Sequence, residues 1–389
     1  MSNNMPRPGR SLQLLPGPTP VPERITAAMS RDIIDHRGPV FQELGLKVLR
    51  EIKPVFGTSK PVLIFASSGT GAWEAAIVNT LSPGDRVLTV DGGHFASMWT
   101  GMARDFGLVP DVIPTDWRTG PDPDKIAAHL EQDKAHAIKA VFVVHNETST
   151  GVRCSIAKIR EAIDAVGHPA LLMVDAVSSL AAMDYRHDEW GVDVTVSGSQ
   201  KGMMMPPGLA FTAVSERALA ASETAKMPRY YWSWAKMQAQ NKEGYFPFTP
   251  ATGLIYGLAE SIAMLNEEGF ENVYARHERL AEAVRRAVRT WGLEVWCRDP
   301  EAYSPAVTTV GMPEGFDAVE FRRLVYDRFD VSLAMGLSKL SGKVFRIGHL
   351  GFVNDVAILG GLTAIERALA VAKVPHNTGG VAAAMDYLG

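Results

Sequence analysis

The chain has 389 residues, 46% of them hydrophobic and 21% charged, with 39 basic side chains against 43 acidic ones and a formal net charge of −4. That composition suits a packed globular core, and charge this scattered and slightly acidic leaves no electrostatic footprint for nucleic acid or an anionic membrane surface. The longest apolar runs, such as Ala140 to Val144 and Ala170 to Val174, fall far short of the roughly 20 residues that span a bilayer.

The opening residues Met1 to Arg10 are polar and contain no apolar stretch of the kind a secretory signal needs. Cys154 and Cys297 are the only cysteines, too few for a disulfide framework or a cysteine zinc cluster. A reduced, cytoplasmic setting is expected. The length exceeds what one hydrophobic core usually serves, so a large domain and a smaller one are expected. We divide the chain into an N-terminal arm (1–15), a large domain (16–275) and a small C-terminal domain (276–389).

In chain order, Pro16-Gly17-Pro18-Thr19-Pro20 reads as an extended arm. Short apolar, β-branched runs then alternate with stretches of helical period, the rhythm of an α/β fold around a mostly parallel sheet. Val62 to Phe65 is the first expected strand, followed by the small-residue turn Ser67 to Ala72 and a helix over Trp73 to Thr80. Further strands are expected at Arg86 to Val90, Lys139 to Val144, Ala170 to Val174, Val192 to Val196 and Leu209 to Ala213. A helix over Ile156 to Val166 has Ser155 as its expected N-cap. One long helical region, Leu254 to Trp291, is expected to bridge the two domains. Beyond it, strand-like Ala306 to Val310 and Val344 to Ile347 flank amphipathic Ala318 to Phe329, which suits a small α/β domain.

Four strand ends carry chemistry. Ser68-Gly69-Thr70-Gly71 places free backbone N–H groups at a helix start, an anion cradle. It lacks the lysine of a nucleotide-binding loop and the glycine spacing of a dinucleotide fold, so a single phosphate monoester fits it better. His145 to Gly151 sets polar side chains on the same crest. Asp175 ends an apolar strand at the edge where doubly wound sheets bind ligands, and a buried acid there needs a cationic or hydrogen-bonding partner; by itself it also reads as the cap of a turn. Lys201, in Ser197-Gly198-Ser199-Gln200-Lys201-Gly202, follows another strand among small and apolar residues, where desolvation favours an imine-forming amine; alone it also reads as a solvated surface lysine. Phosphate turn, hydroxyl, acid and lysine converge on what one cofactor requires.

Together with Pro16-Gly17-Pro18-Thr19 and Gly342 to Gly348, these segments resemble the class-V aminotransferases, and within them the serine–glyoxylate and alanine–glyoxylate enzymes. The resemblance runs almost the full length. It implies a fold-type I pyridoxal-phosphate transferase with a large mostly parallel sheet domain and a smaller α/β domain. It implies that Lys201 carries pyridoxal 5′-phosphate and moves the substrate's α-proton, and that Asp175 keeps the ring nitrogen protonated. Ser68, Gly69, Thr70 and Gln200 would hold the phosphate, Thr148 the phenolic oxygen, and Phe95 and Val177 the two ring faces. Arg346 would clamp the substrate carboxylate. Thr249 would reach the phosphate across a homodimer interface; relatives often carry tyrosine where Phe246 stands, with Tyr245 as the neighbouring substitute. Arg37, in Asp35-His36-Arg37-Gly38-Pro39, would either meet a substrate side chain such as that of aspartate or brace the interface.

The implied reaction moves an amino group from serine, alanine or aspartate to glyoxylate. Two alternatives stand beside it. One is a class-V lyase or desulfurase, and a desulfurase would need a thiol in the loop near Ser332 to Gly342, where neither cysteine lies. A non-catalytic binder would have no use for a proton-transfer lysine.

Overall fold

The computed structural model describes residues 9–389; Met1 to Pro8, the first part of the expected arm and of the opening read for a signal, lie outside the described residues. All six strands expected in the first two thirds of the chain form, within a residue or two at their ends, and lie in one seven-stranded sheet. From one edge the order is Val62–Ser67, Gly208–Val214, Val194–Gly198, Leu171–Asp175, Ile138–Val144, Arg86–Asp91 and Val109–Pro114. Gly208–Val214 runs antiparallel to both neighbours and every other pairing within the remaining five is parallel. Six strands therefore share a direction and deliver their carboxyl ends to one edge, the ligand-binding edge of such sheets. The strand at the far edge, Val109–Pro114, was not expected: of its six residues Ile113 alone is buried, and Pro110 and Pro114 withhold ladder donors, which only an edge position tolerates.

Apolar clusters cover both faces of this sheet. Ile64, Val141, Leu172 and Phe211 belong to one, and Leu63, Phe142, Met173 and Val196 to the other. Alternate residues of each strand thus enter opposite cores, the signature of a sheet buried on both sides, and each such side chain contributes about 1.5–3 kcal/mol.

A second, five-stranded sheet takes its strands in the order Leu12–Leu14, Val331–Met335, Val344–Gly348, Val307–Gly311 and Glu294–Val295. Its separate core includes Leu14, Leu333, Phe345 and Ile347. Leu12–Leu14, from the expected arm, is thus the edge strand of a sheet otherwise built from the last hundred residues, pairing in parallel with Val331–Met335. The helix Ala318–Phe329 forms as expected.

The expected long bridging helix is two. Thr252–Glu268 stops at Gly269, which adopts φ +82°, and Phe270–Thr290 starts there. Glycine reaches that left-handed backbone without strain and ends the first helix. The second helix spans both cores: Val273 packs in the large-sheet core, Leu280 and Val284 in the small one.

Candidate active site

At the carboxyl edge, register sets Asp175 beside Val144 on one side and Val196 on the other, so the segments that follow these strands meet. They enclose a cavity of about 120 Å³ lined by Ser68, Gly69, Thr70, Phe95, Thr148, Asp175, Val177, Gln200 and Lys201, nine of the residues expected at the site. Trp73, Val144, Asn146 and Ser178 complete the lining.

The helix Gly69–Thr80 starts at the cavity with Ser68 as its N-cap, yet the Ser68 side chain makes no capping bond. The first backbone N–H groups of a helix have no acceptor within it, so Gly69 and Thr70 present donors to the cavity at the positive end of the helix dipole. A Cβ on Gly69 would stand 2.6 Å from Cγ2 of Val177, which explains the glycine and places Val177 on the cavity floor. Gln200 lies alongside, its Oε1 buried without a partner.

Asp175 is buried. Its Oδ1 accepts from the backbone N–H of Val177 at 2.7 Å and its Oδ2 from Nε1 of Trp73 at 3.0 Å. Burial, helped by the nearby charge of Glu147, still pushes its carboxyl up to about 7 against both hydrogen bonds. A cation placed on it would restore the charge. Trp73 stands four residues after Gly69 and so faces the same side of the helix. It stacks on Trp99 (centroids 5.8 Å apart), which stacks on Phe142 (4.4 Å). Sequence reasoning missed it; the signal was an indole one turn into the phosphate-turn helix.

Lys201 follows the strand Val194–Gly198, and the Pro-rich segment holds it. Its Nζ donates to the carbonyl of Pro16 at 2.7 Å, while Thr19 bonds the carbonyls of Gln200 and Lys201, both at 3.1 Å. Gly17, at φ +112°, is needed for close approach as well as backbone: a Cβ there would lie 2.6 Å from the Lys201 Nζ. Burial, then the positive charge of Arg346, lower the Lys201 ammonium to about 8, with Asp175 opposing.

Arg346 comes from the small sheet, in register with Thr309 and Ala334. It is 6% exposed and reaches across to the large sheet, Nη1 donating to the carbonyl of Thr148 and Nε to that of Met335, both at 2.8 Å. Both acceptors are neutral, and burial lowers its guanidinium to about 10. Thr148 donates its own hydroxyl to Ser178 Oγ at 3.0 Å. Glu147, which the sequence alone marks with no role, belongs to the same crest. Its buried carboxylate accepts from the backbone N–H groups of Phe95 and Ala96, both at 3.1 Å, at the start of the helix His94–Asp105.

Thr249 and Arg37 do not reach this cavity within the chain. Thr249 is exposed and lines a separate space of about 20 Å³ with Phe65, Tyr231 and Phe248. Phe246, from that same wall, packs edge-on against Phe41 with centroids 6.0 Å apart, while the Tyr245 carbonyl accepts from Asn241 at 2.9 Å. The Arg37 side chain is exposed, and its backbone N–H donates to Asp35 Oδ1 at 2.9 Å. Both cysteines are buried and free, and burial pushes their thiols up, Cys154 to about 12 and Cys297 to about 11. Neither is a thiolate nucleophile near neutral pH.

The family model of aminotransferase class V matches residues 17–338. A serine–glyoxylate aminotransferase of Methylorubrum extorquens is 46% identical over 98% of this chain and 97% of its own. An L-aspartate–glyoxylate aminotransferase of Paracoccus denitrificans is 45% identical over 96% and 95%. Among solved structures, the pyridoxamine–pyruvate aminotransferase of Mesorhizobium loti superposes with a TM-score of 0.91 at 29% identity, covering 98% of each chain. A lysine, a buried acid and an uncapped helix start around one cavity, with a buried arginine bonded to its wall, thus occur on the fold and in the sequence pattern of a single family, and the chain belongs to the class-V aminotransferases.

Proposed function

We propose that the protein is a pyridoxal 5′-phosphate-dependent aminotransferase that moves the amino group of a small L-amino acid, serine foremost and then alanine or aspartate, to glyoxylate, yielding glycine and a 2-oxo acid. The observation that carries this reading is the meeting of Lys201, Asp175 and the open helix start at Gly69 in one cavity, with Arg346 bonded to its wall. The names of the two relatives at 45–46% identity support glyoxylate as acceptor and leave serine and aspartate as competing donors.

The residues fit the cofactor. The free backbone N–H groups of Gly69 and Thr70, with the Ser68 hydroxyl, suit a phosphate dianion, and the side-chain NH2 of Gln200, which also lines the cavity, would be a further donor. Asp175, raised to about 7 by burial, becomes a stable carboxylate once a protonated ring nitrogen lies against it. Bound pyridoxal phosphate supplies an electron sink for the pair released at the substrate's α-carbon.

The remaining work falls to the chain. Phe95 and Val177 flank the ring site, and Thr148, whose hydroxyl donates to Ser178, would bond a phenolic oxygen by turning that proton from Ser178 or by accepting a phenolic O–H on its free lone pair. Lys201 would anchor the cofactor and, once freed by the substrate amine, would carry the proton from the substrate's α-carbon to the cofactor's C4′; an ammonium lowered to about 8 is substantially free amine at mildly alkaline pH. Arg346 keeps N–H donors beyond those bonded to Thr148 and Met335, and these grip the substrate carboxylate and fix the α-carbon relative to Lys201.

A homodimer with composite sites is part of the proposal. Thr249 is exposed beside Tyr231 and Phe248, whose rings stack at 5.1 Å, and Tyr230 is 71% exposed, an aromatic surface suited to a second copy that would carry Thr249 to the partner's phosphate. Arg37 then either meets the β-carboxylate of aspartate or braces the interface. We set the domain limits at 16–275 and 276–389 and place the protein in the cytoplasm, in keeping with its two free, buried thiols; no helix among the described residues is long and apolar enough to cross a membrane.

The test supplies nitrogen-15-labelled serine, alanine or aspartate with glyoxylate and follows label into glycine by mass spectrometry. Transfer from at least one donor is expected; cofactor-loaded protein that transfers from none overturns the assignment.

A further inference from the structure

We propose that Glu147 is a positioning residue that locks the aromatic plate Phe95 and the carboxylate clamp Arg346 to one short hairpin, Asn146–Glu147 paired antiparallel with Val152–Arg153, so that the two sides of the site move together. This rests on the function proposed above. Glu147 is 4% exposed, and among the described residues its carboxylate has no cationic hydrogen-bond partner; neutral groups hold it instead. Oε2 accepts from the backbone N–H groups of Phe95 and Ala96, both at 3.1 Å. Oε1 accepts from the backbone N–H of Ser149 at 3.0 Å and its hydroxyl at 2.6 Å. A buried carboxylate is tolerated when its lone pairs are filled and a helix N-terminus adds its dipole, and both conditions hold.

The contact couples three elements. Glu147 pins the first turn of the helix His94–Asp105 and therefore the backbone from which Phe95 projects into the cavity. Ser149 completes the grip from the other side, its Oγ also accepting from the His94 N–H at 3.0 Å. The residue between them, Thr148, presents the carbonyl that receives Arg346 at 2.8 Å. Plate and clamp are thus separated along the chain by about 250 residues but joined in space through residues 147 to 149. Independent support comes from Gly93, whose backbone is extended and whose glycine is required by space alone: a Cβ would stand 2.2 Å from Cγ and 2.4 Å from Cδ of Glu147.

The experiment is a double-mutant cycle read by equilibrium binding of pyridoxal 5′-phosphate to cofactor-free protein, followed by quenching of tryptophan fluorescence, with serine KM and kcat measured alongside. The variants are E147Q, F95A and E147Q/F95A. Gln keeps the size but turns one oxygen into a donor that faces donors. E147Q is expected to weaken cofactor binding about tenfold, the scale of one well-placed aromatic contact, and to raise KM for serine more than it lowers kcat. In the F95A background the same change should weaken cofactor binding less than twofold, because the plate it positions is already gone. Equal losses in both backgrounds would overturn the proposal, as would unchanged cofactor affinity in E147Q. If E147Q does not fold, Ser149→Ala, which removes one of the four donors, carries the same cycle. Wild-type protein that fails to bind the cofactor sinks the functional reading itself, a different outcome from a wild type that binds while the cycle is additive.

Discussion

Replacing Asp175 by Asn in the cofactor-free protein should make it more stable at alkaline pH, although the same change cripples the enzyme. Burial raises the Asp175 carboxyl from its ordinary 3.8 to about 7, which corresponds to about 4 kcal/mol of differential stability. The sign follows from proton counting. Between those two values the native state holds a proton that the unfolded state has released, so stability contributed by this group is full below pH 4 and is lost as pH rises towards 7 and beyond. About 2.5 kcal/mol of that loss falls between pH 5 and pH 8, by the same linkage relation applied to the two values. Asn cannot ionise, and it leaves one of the Val177 and Trp73 donors without an acceptor, a pH-independent cost of about 1–3 kcal/mol. The measurement is urea unfolding of both cofactor-free proteins at pH 5 and pH 8. The buried His145, His277 and His349, all held well below their ordinary range by burial, are common to both proteins, whereas Lys201, lowered to about 8 with Asp175 opposing, moves with the substitution; making both proteins in a Lys201→Ala background isolates residue 175. The protein with Asp175 should lose about 2.5 kcal/mol relative to the Asn variant across that range. A difference that does not change with pH, or that changes in favour of Asp175, would refute the reasoning.

Lys201→Ala should abolish transamination while the cofactor still binds noncovalently in the cradle at Ser68 to Thr70, checked by label transfer and by binding; turnover near wild type would end the assignment. Arg346→Ala should raise the KM of every carboxylate substrate, by about 2–5 kcal/mol if the pair is fully desolvated, and steady-state kinetics with serine and with glyoxylate would show it. Gly17→Ala should disturb Lys201 specifically, since the added methyl falls within 2.6 Å of Nζ and the backbone is at φ +112°; a loss of kcat at least tenfold, with little change in the Arg346-dependent KM, is expected. Trp73→Phe keeps the stack on Trp99 but removes the donor to Asp175, and should shift the alkaline limb of the activity–pH profile rather than abolish activity.

Much of this architecture can be read from the chain because a doubly wound sheet leaves local marks. Runs such as Ala170 to Val174 have the length and apolar character of buried strands, and in the six strands that share a direction the residue that follows falls at the binding edge. Lys201, Asp175 and the turn at Ser68 were legible for that reason. Val109–Pro114 was not, because an edge strand with two prolines lacks both the apolar run and the alternation that signal a strand. Gly269 was passed over inside a periodic pattern, where a glycine is usually tolerated and here turns the backbone. Trp73, Glu147 and the Pro16 carbonyl escaped notice for a different reason: each acts on a partner remote in sequence, with 102 positions separating Trp73 from Asp175 and 185 separating Pro16 from Lys201. Composition and spacing do not encode such pairings; the sheet order creates them. Thr249 and Arg37 mark the opposite limit, since within one chain neither lines the cavity and the role proposed for Thr249 calls for a second copy.

The most direct test mixes cofactor-loaded protein with serine alone, without acceptor, and records its visible absorption before and after glyoxylate is added. Transamination requires that serine bleach the cofactor band and that glyoxylate restore it, with one glycine formed per band recovered and neither change occurring in Lys201→Ala. A band that serine, alanine and aspartate all leave untouched, or one that bleaches and is not restored by glyoxylate, would contradict glyoxylate transamination at this site.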